Sequence, residues 1–359
     1  MKARFRDWSS LPAELIESIS DRLPADADTV HIHQVCSHWR ACTSPLAAPR
    51  PWVVAGHPRL GRERWRQVYP VGRYSLWLPR GRVPVHIPRA PPGGLSHCLG
   101  TPRGWLARAA ADAPTTPSPP PARLPLLWEP ISRSEIPIPY LRGVLQGLLL
   151  AAGDAAWTDL AGRTVYPVNS AAFHRGKFYF TCDNGTFFGY DLNPGGAAAS
   201  GPAPAPERVL FYKTTGMFDS SVCDCCELHP VRAVHVAACA GDLLLVAVVR
   251  AYRPAVRAAE RGMTVVEPGE RVSDLGEHAL FLGRGDSFAL SANEFPGIKR
   301  NHVYYVDYQS QSEQRQWISV FDLSSNVCER VPYPVEHRND GSNWWPYTWF
   351  CPRRPFLVQ

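Results

Sequence analysis

Two hydrophobic periodicities divide the chain. Over the first 45 residues Leu11, Leu15, Ile16, Ile19 and Leu23 recur at helical spacing, with Pro12 at a tolerated first-turn position and Pro24 closing the run. An acidic turn with Asp26 and Asp28 follows. Then Ile32, Val35, Cys36 and Trp39 fall at i, i+3, i+4 and i+7. The pattern predicts two or three short helices, each with one apolar face. A segment this small buries its own apolar surface poorly. On pattern alone, that face packs equally well on the rest of the same chain or under another polypeptide.

From residue 50 onward the period changes. Short apolar runs alternate with turn signals at Tyr74 to Leu78, Arg123 to Trp128, Lys177 to Phe180, Leu243 to Val249, Ala279 to Leu282, Val303 to Val306 and Trp317 to Leu323. KFYF and TFFGYDL flank the turn residues Asp183, Asn184 and Gly185, a strong hairpin signal. VYYVDY and WISVFDL form a second such unit, and LLWEPISRSEIPIP a third that turns at Ile131 to Ser134. The first two units close on an aromatic-Asp-Leu ending, at 190 to 192 and 321 to 323. Repeated antiparallel units closed into a ring leave no long sheet edge exposed, so the expected architecture is an irregular β-propeller, with a β-sandwich as the alternative. The expected fold class is therefore multi-domain: a small all-α module over 1–47 and an all-β domain over 48–359. Flexible insertions by composition lie at about 112–125 and 193–207.

Composition supports a packed, loop-rich β protein. Apolar residues make up 45% of the chain and charged residues 19%, too few for extensive disorder, while 36 Pro and 27 Gly disfavour a helical one. The net charge of +6 is uneven, with ten Arg and Glu63 as the only acid between Trp52 and Ala110. The aromatics among those arginines make no stacking signature, so solvated loops are preferred to a nucleic-acid surface. Ala233 to Val249, the longest apolar stretch, is broken by His235, Gly241 and Asp242 and reads as two strands around a turn rather than a membrane span. With no secretory h-region either, the expectation is a protein of cytosol or nucleus whose ten Cys stay as thiols.

Candidate chemistry is sparse. Cys223, Cys225, Cys226 and His229 crowd together without the second ligand pair a zinc site favours, and His31, His33 and His38 do not share a helix face. No metal, cofactor or catalytic residue is expected. Nucleophile-elbow, P-loop and H-E-x-x-H patterns are absent. Asp286, Asp307 and Asp322 stand at turns or strand ends, where carboxylates more often accept backbone N–H groups than catalyse. FPGIKRN, at 295 to 301, carries a Pro-Gly turn and reads as a connection between strands rather than a contact for an acidic target.

Two resemblances sharpen this picture. The string WSSLPAELIESISDRLPADADTVHIHQVCSHWRAC, residues 8 to 42, resembles the F-box in order and spacing: Leu-Pro, Glu-Leu-Ile, Ile-Ser, Arg-Leu, Val-Cys and Trp-Arg. That family implies docking onto a Skp-type adaptor and through it to cullin and RING proteins, with Leu11, Pro12, Leu15, Ile16, Ile19, Leu23, Val35, Cys36 and Trp39 forming or supporting the contact. Family members often carry Arg or another large residue where His31, Ile32 and His33 stand here. The later strings LLWEPISRSEIPIP, WTDL, FHRGKFYF, LGEHALFLGRGDSFALSANEFPGIKRNHVYYVDY, ISVFDL and WWPYTWFCP are similar to the plant F-box proteins with a C-terminal kelch-like propeller of long-unknown function, related to an inhibitor of a brassinosteroid-pathway kinase. Between Tyr252 and Leu275 the match lapses, so a shortened or irregular blade is expected there. Together the resemblances imply a non-catalytic substrate receptor of a Skp–cullin–F-box ubiquitin ligase, with no nucleic-acid or membrane partner. The other reading is a binding or inhibitory propeller that does not engage the adaptor, and a hydrolase on a propeller is a third.

Overall fold

The computed structural model describes residues 8–23, 26–43, 51–58, 71–77, 97–100, 106–109, 126–128, 135–137, 148–149, 158–159, 168–182, 186–191, 207–213, 231–249, 254–261, 264–265, 272–283, 285–295, 297–306, 316–332 and 345–351. A 3-10 turn at Trp8–Ser10 leads into the helices Ala13–Ser20, Asp26–Val35 and Ser37–Ala41. Pro12 sits at the N-cap of the first, where its missing N–H leaves no donor unsatisfied, and its carbonyl accepts from Ile16 N at 3.2 Å. Cys36 caps the third, its Sγ accepting from Trp39 N at 3.4 Å. Among the described residues no helix is long and apolar enough to cross a membrane.

The remaining elements are strands, and most form antiparallel meanders. Val168–His174, Lys177–Cys182, Thr186–Asp191 and Glu207–Lys213 make one; Val231–Cys239, Asp242–Val249, Pro254–Arg261 and Thr264–Val265 make the next. His97–Gly100, Leu106–Ala109, Leu126–Trp128 and Glu135–Pro137 make another, and Leu148–Leu149 pairs with Thr158–Asp159. The last large sheet runs in the order Phe288–Ser291, His278–Leu282, His302–Val306, Gln316–Asp322 and Val327–Pro332. Tight turns at Arg175-Gly176 and Ala240-Gly241 place both central residues at positive φ (49° and 77°, 51° and 88°). That geometry matches the right-handed twist of the flanking strands and suits Gly at the second position.

Alternation along the strands shows how the sheets stack. In the run Leu243 to Val248, the odd residues Leu243, Leu245 and Ala247 pack with Ala172, Tyr179 and Phe187 of the preceding meander. The even residues Leu244, Val246 and Val248 pack with Leu280, Leu282, Val303, Tyr305 and Phe321 of the following one. All six are at most 2% exposed, and full burial of each Leu or Val stabilises by roughly 1.5–3 kcal/mol. A strand apolar on both faces therefore forms wherever a sheet has a sheet on either side, and the period-2 rule becomes a continuous apolar run.

The same logic carries the stack to the chain's two ends. Ala279, Phe281, Tyr304 and Val320, on the opposite face of the last large sheet, pack against Val53, Trp349 and Cys351. Val53 lies in Trp52–Pro58 and Trp349 in Trp345–Phe350; these strands pair antiparallel, Trp52 opposite Phe350, with Val71–Trp77 on the other side of Trp52–Pro58. The first and last described strands of the β domain thus share one sheet. Trp349 locks that clasp: its indole N–H donates to Leu282 O at 3.0 Å, and its ring meets Phe281 edge-on at 5.1 Å. Gly283 admits it, since a Cβ there would stand 3.2 Å from Trp349 Cδ1. Between residues 252 and 275, where a shortened or irregular blade is expected, an eight-residue strand, Pro254–Arg261, pairs along Asp242–Val249 with a register shift at Leu243/Leu244, and a two-residue strand, Thr264–Val265, follows it.

Candidate functional site

Among the described residues, four of the six exposed large apolar side chains lie in the helical segment; the other two, Phe173 (57%) and Val327 (60%), lie on strands of the β domain. Trp8 is 58% exposed, Leu15 52%, Ile19 41% and Val35 54%. Leu15 and Ile19 stand one helical turn apart and share a face. Pro12 is exposed, and Leu11, Leu23, Cys36 and Trp39 are half-buried. Ile16 is fully buried, on the side of its helix turned inward. It can support a docking face but cannot form one. Helical spacing alone does not separate the two, because Leu15 and Ile16 are neighbours on the same apolar stripe.

Polar contacts hold this face in shape. The Trp39 indole N–H donates to Trp8 O at 2.8 Å, and His38 Nε2 donates to Leu11 O at 2.9 Å, so Ser37–Ala41 is tied back to the segment that opens the first helix. His33 is buried. Its Nε2 lies 2.9 Å from the Thr43 hydroxyl, which donates to Trp39 O at 3.1 Å, while its carbonyl accepts from Arg40 Nε at 3.0 Å. The departure from the family pattern at His33 is therefore filled by an internal hydrogen-bonded pair. His31 is exposed and His38 is engaged with Leu11, so the three histidines do not converge, and no group of three metal-ligating side chains gathers among the described residues. The cluster at Cys223, Cys225, Cys226 and His229 lies outside the described residues, as do Asp307, the Asp183 to Gly185 turn, both insertions and the 47/48 boundary.

In the β domain several described polar groups bond to neighbouring backbone and side chains. Asp322 accepts from Ser324 N (2.8 Å) and from the Ser325 hydroxyl (2.8 Å), and these bonds, the hydroxyl first, hold its carboxyl below the usual carboxylate value. Asn301, at φ 56°, accepts from Leu275 N at 2.9 Å and donates to Ser324 Oγ at 2.6 Å, while Lys299 pairs with Glu329 at 2.9 Å. The described residues of FPGIKRN lie between the strands Phe288–Ser291 and His302–Val306. Burial, with Asp242 beside it, pushes the Cys239 thiol up to about 11, which removes it as a nucleophile.

His235, which sequence reasoning reads only as a break in the apolar run VRAVHVAAC, is the most buried of the β domain's described His residues. His235 is fully buried, and Ser287 Oγ lies 3.3 Å from its Nδ1. Ser287 in turn lies 2.9 Å from Ser170 Oγ, which accepts from Val236 N at 3.2 Å. Asn169 and Thr181 donate to Val234 O at 2.9 and 2.6 Å. Burial pushes the His235 imidazole down to about 3. The Ser–His contact joins the strand Val231–Cys239 to the segment between Gly285–Asp286 and Phe288–Ser291.

Comparison with known proteins now fits this geometry. Residues 144–322 match the KIB1-4 beta-propeller family model. The β domain belongs to the KIB1-4 beta-propeller family. Within this KIB1-4 propeller protein, an 83-residue stretch is 35% identical to F-box protein At2g05970 of Arabidopsis thaliana, covering 23% of this chain and 21% of that protein. The matched stretch thus spans about a fifth of that relative's length. Among solved structures, the β-propeller domain of Cps50 (Swd1) from Myceliophthora thermophila aligns over 63% of this chain and 65% of its own at 12% identity and a TM-score of 0.29. The WD40 domain of SCAP from fission yeast aligns over 73% and 51% at 9% identity and a TM-score of 0.26. Scores this low add nothing to the family assignment.

Proposed function

We infer that this KIB1-4 propeller protein is the substrate-recognition subunit of a Skp–cullin–F-box ubiquitin ligase, working in the cytosol or nucleus. The helices over 8–43 dock the Skp-type adaptor, which brings cullin and RING proteins, and the propeller holds a target protein. The observation that carries this reading is that Trp8, Leu15, Ile19 and Val35 stay exposed in a helical segment whose Ile16 and Ile32 are buried. A helix with one side packed and large apolar groups left in water on another gains by being covered. The F-box-like string over 8–42 and the matched F-box relative name the kind of cover.

The mechanism is proximity. Holding target lysines beside a ubiquitin-charged enzyme raises their effective concentration, and the bond-making groups belong to the partners. The test is reconstitution of the full chain with a purified Skp-type adaptor, followed by size-exclusion chromatography. Co-elution that is lost on Leu15→Asp, Ile19→Asp, in a variant with an unchanged melting temperature, is the expected result. Separate elution of the folded wild-type chain would sink this reading in favour of a propeller that binds or inhibits its target without a ligase.

A further inference from the structure

The node around His235 does more than fill space. Three sheets meet there. Ser170 comes from Val168–His174, His235 and Val236 from Val231–Cys239, and Ser287 lies between the bridging strand Gly285–Asp286 and Phe288–Ser291. Gly285–Asp286 runs parallel to Ser170 and Ala171 on one side and to Gly100 on the other, so this segment also ties two meanders into one nine-stranded sheet.

The imidazole is built into this node in its neutral form. Nδ1 faces the Ser287 hydroxyl, while Nε2 is buried without an acceptor. An imidazolium must donate from both nitrogens, so a proton added here leaves a buried cationic donor unmatched. Among the described side chains, the charged and titratable groups on the packed strands offer no relief. Tyr305 meets the ring edge-on at 5.8 Å. Asp242 is paired in register with Cys239, four residues along from His235, and His174 and Lys177 lie at the ends of their strands. His278 and His302 begin theirs, Tyr179 packs with Phe187 and Val236, and Phe288–Ser291 carries no titratable side chain.

We propose that the Ser170–Ser287–His235 node is an acid-labile pin of the propeller: uptake of a proton by His235 parts the three sheets that meet on it and opens the ring. Above about pH 6.5 the ring is neutral in both closed and opened states, and the pin holds. Below that value the opened state takes the proton and the closed state does not, until pH approaches about 3. Between pH 7.5 and 5.0 the opening equilibrium is therefore expected to rise about 30-fold.

The test is amide hydrogen exchange on the full chain at pH 7.5, 6.0 and 5.0, corrected for intrinsic exchange and read on the peptide spanning Val234 to Ala237. His235→Asn places an amide oxygen near the position of Nδ1 and cannot titrate. Wild type should lose about 30-fold protection across that range while the Asn variant stays flat. His235→Gln takes its place if the Asn protein does not fold, and Ser287→Ala, which keeps the imidazole, should retain the acid response. Wild-type protection that changes less than threefold, or falls equally in the Asn or Gln protein, overturns the proposal.

Discussion

Leu15, Ile19 and Val35 are 52, 41 and 54% exposed, so roughly half of each side chain remains for a partner to cover. Full burial of such a side chain is favourable by about 1.5–3 kcal/mol, and the uncovered half therefore by about 0.8–1.5 kcal/mol. Truncating all three to Ala removes most of that surface and should weaken adaptor binding by about 2–3 kcal/mol, roughly 30- to 150-fold in Kd. Ala is the best helix former, so the helices persist. Ile16→Ala is the counterpart: 0% exposed, it should cost about 2–5 kcal/mol of local stability by leaving a cavity, and affect binding only through that loss. Isothermal titration of each full-length variant with a Skp-type adaptor, beside thermal unfolding by circular dichroism, separates the two effects. A triple variant that binds within threefold of wild type would refute the reasoning, because the exposed face would then be in contact with nothing.

Trp349→Ala is expected to destabilise the β domain by about 3–5 kcal/mol in urea unfolding, since it empties a fully buried site and orphans Leu282 O; an unchanged midpoint would show the clasp to be passive. Gly283→Ala forces a Cβ to within 3.2 Å of the Trp349 ring and 3.4 Å of Thr348 Cα, and should cost about 1–3 kcal/mol in the same assay. Asp322→Asn removes a carboxylate whose folded pKa is depressed by the Ser325 hydroxyl and the Ser324 N–H. Its stabilisation is present above the ordinary carboxylate value and lost as pH falls through the lower folded value. The melting temperatures of wild type and variant should therefore differ slightly at pH 7 and converge in acid.

Much of the β domain was legible because its signals are local. The hairpins at 177–192, 126–139 and 233–249 pair as their alternation and turn residues imply, Lys177 with Asp191, Trp128 with Glu135 and Cys239 with Asp242. Pro254–Arg261 was missed since PAVRAAER holds no aromatic and a single β-branched residue; it is a strand because Asp242–Val249 offers it a ladder. The clasp carries no local signal at all. Trp52 and Phe350 meet because the stack of sheets brings them together, which no window of sequence reports. In the helices, spacing identified the apolar stripe but not which residues the fold itself would cover, so Ile16 lies inside and Leu15 outside. At His33 a departure from the family pattern became a buried bond to Thr43, a partner ten residues away that the motif does not include.

Sharing one sheet between Trp52–Pro58 and Trp345–Phe350 fixes an order of events during synthesis. Translation delivers the amino-terminal half first, but Trp52–Pro58 lacks its terminal partner until codon 350 has been read and the nascent chain has cleared the ribosome tunnel. Until then an unpaired strand edge waits in the cell, a template for unwanted pairing that chaperones must shield. A premature stop anywhere before Trp345 would therefore leave Trp52–Pro58 with Val71–Trp77 as its one remaining partner in that sheet.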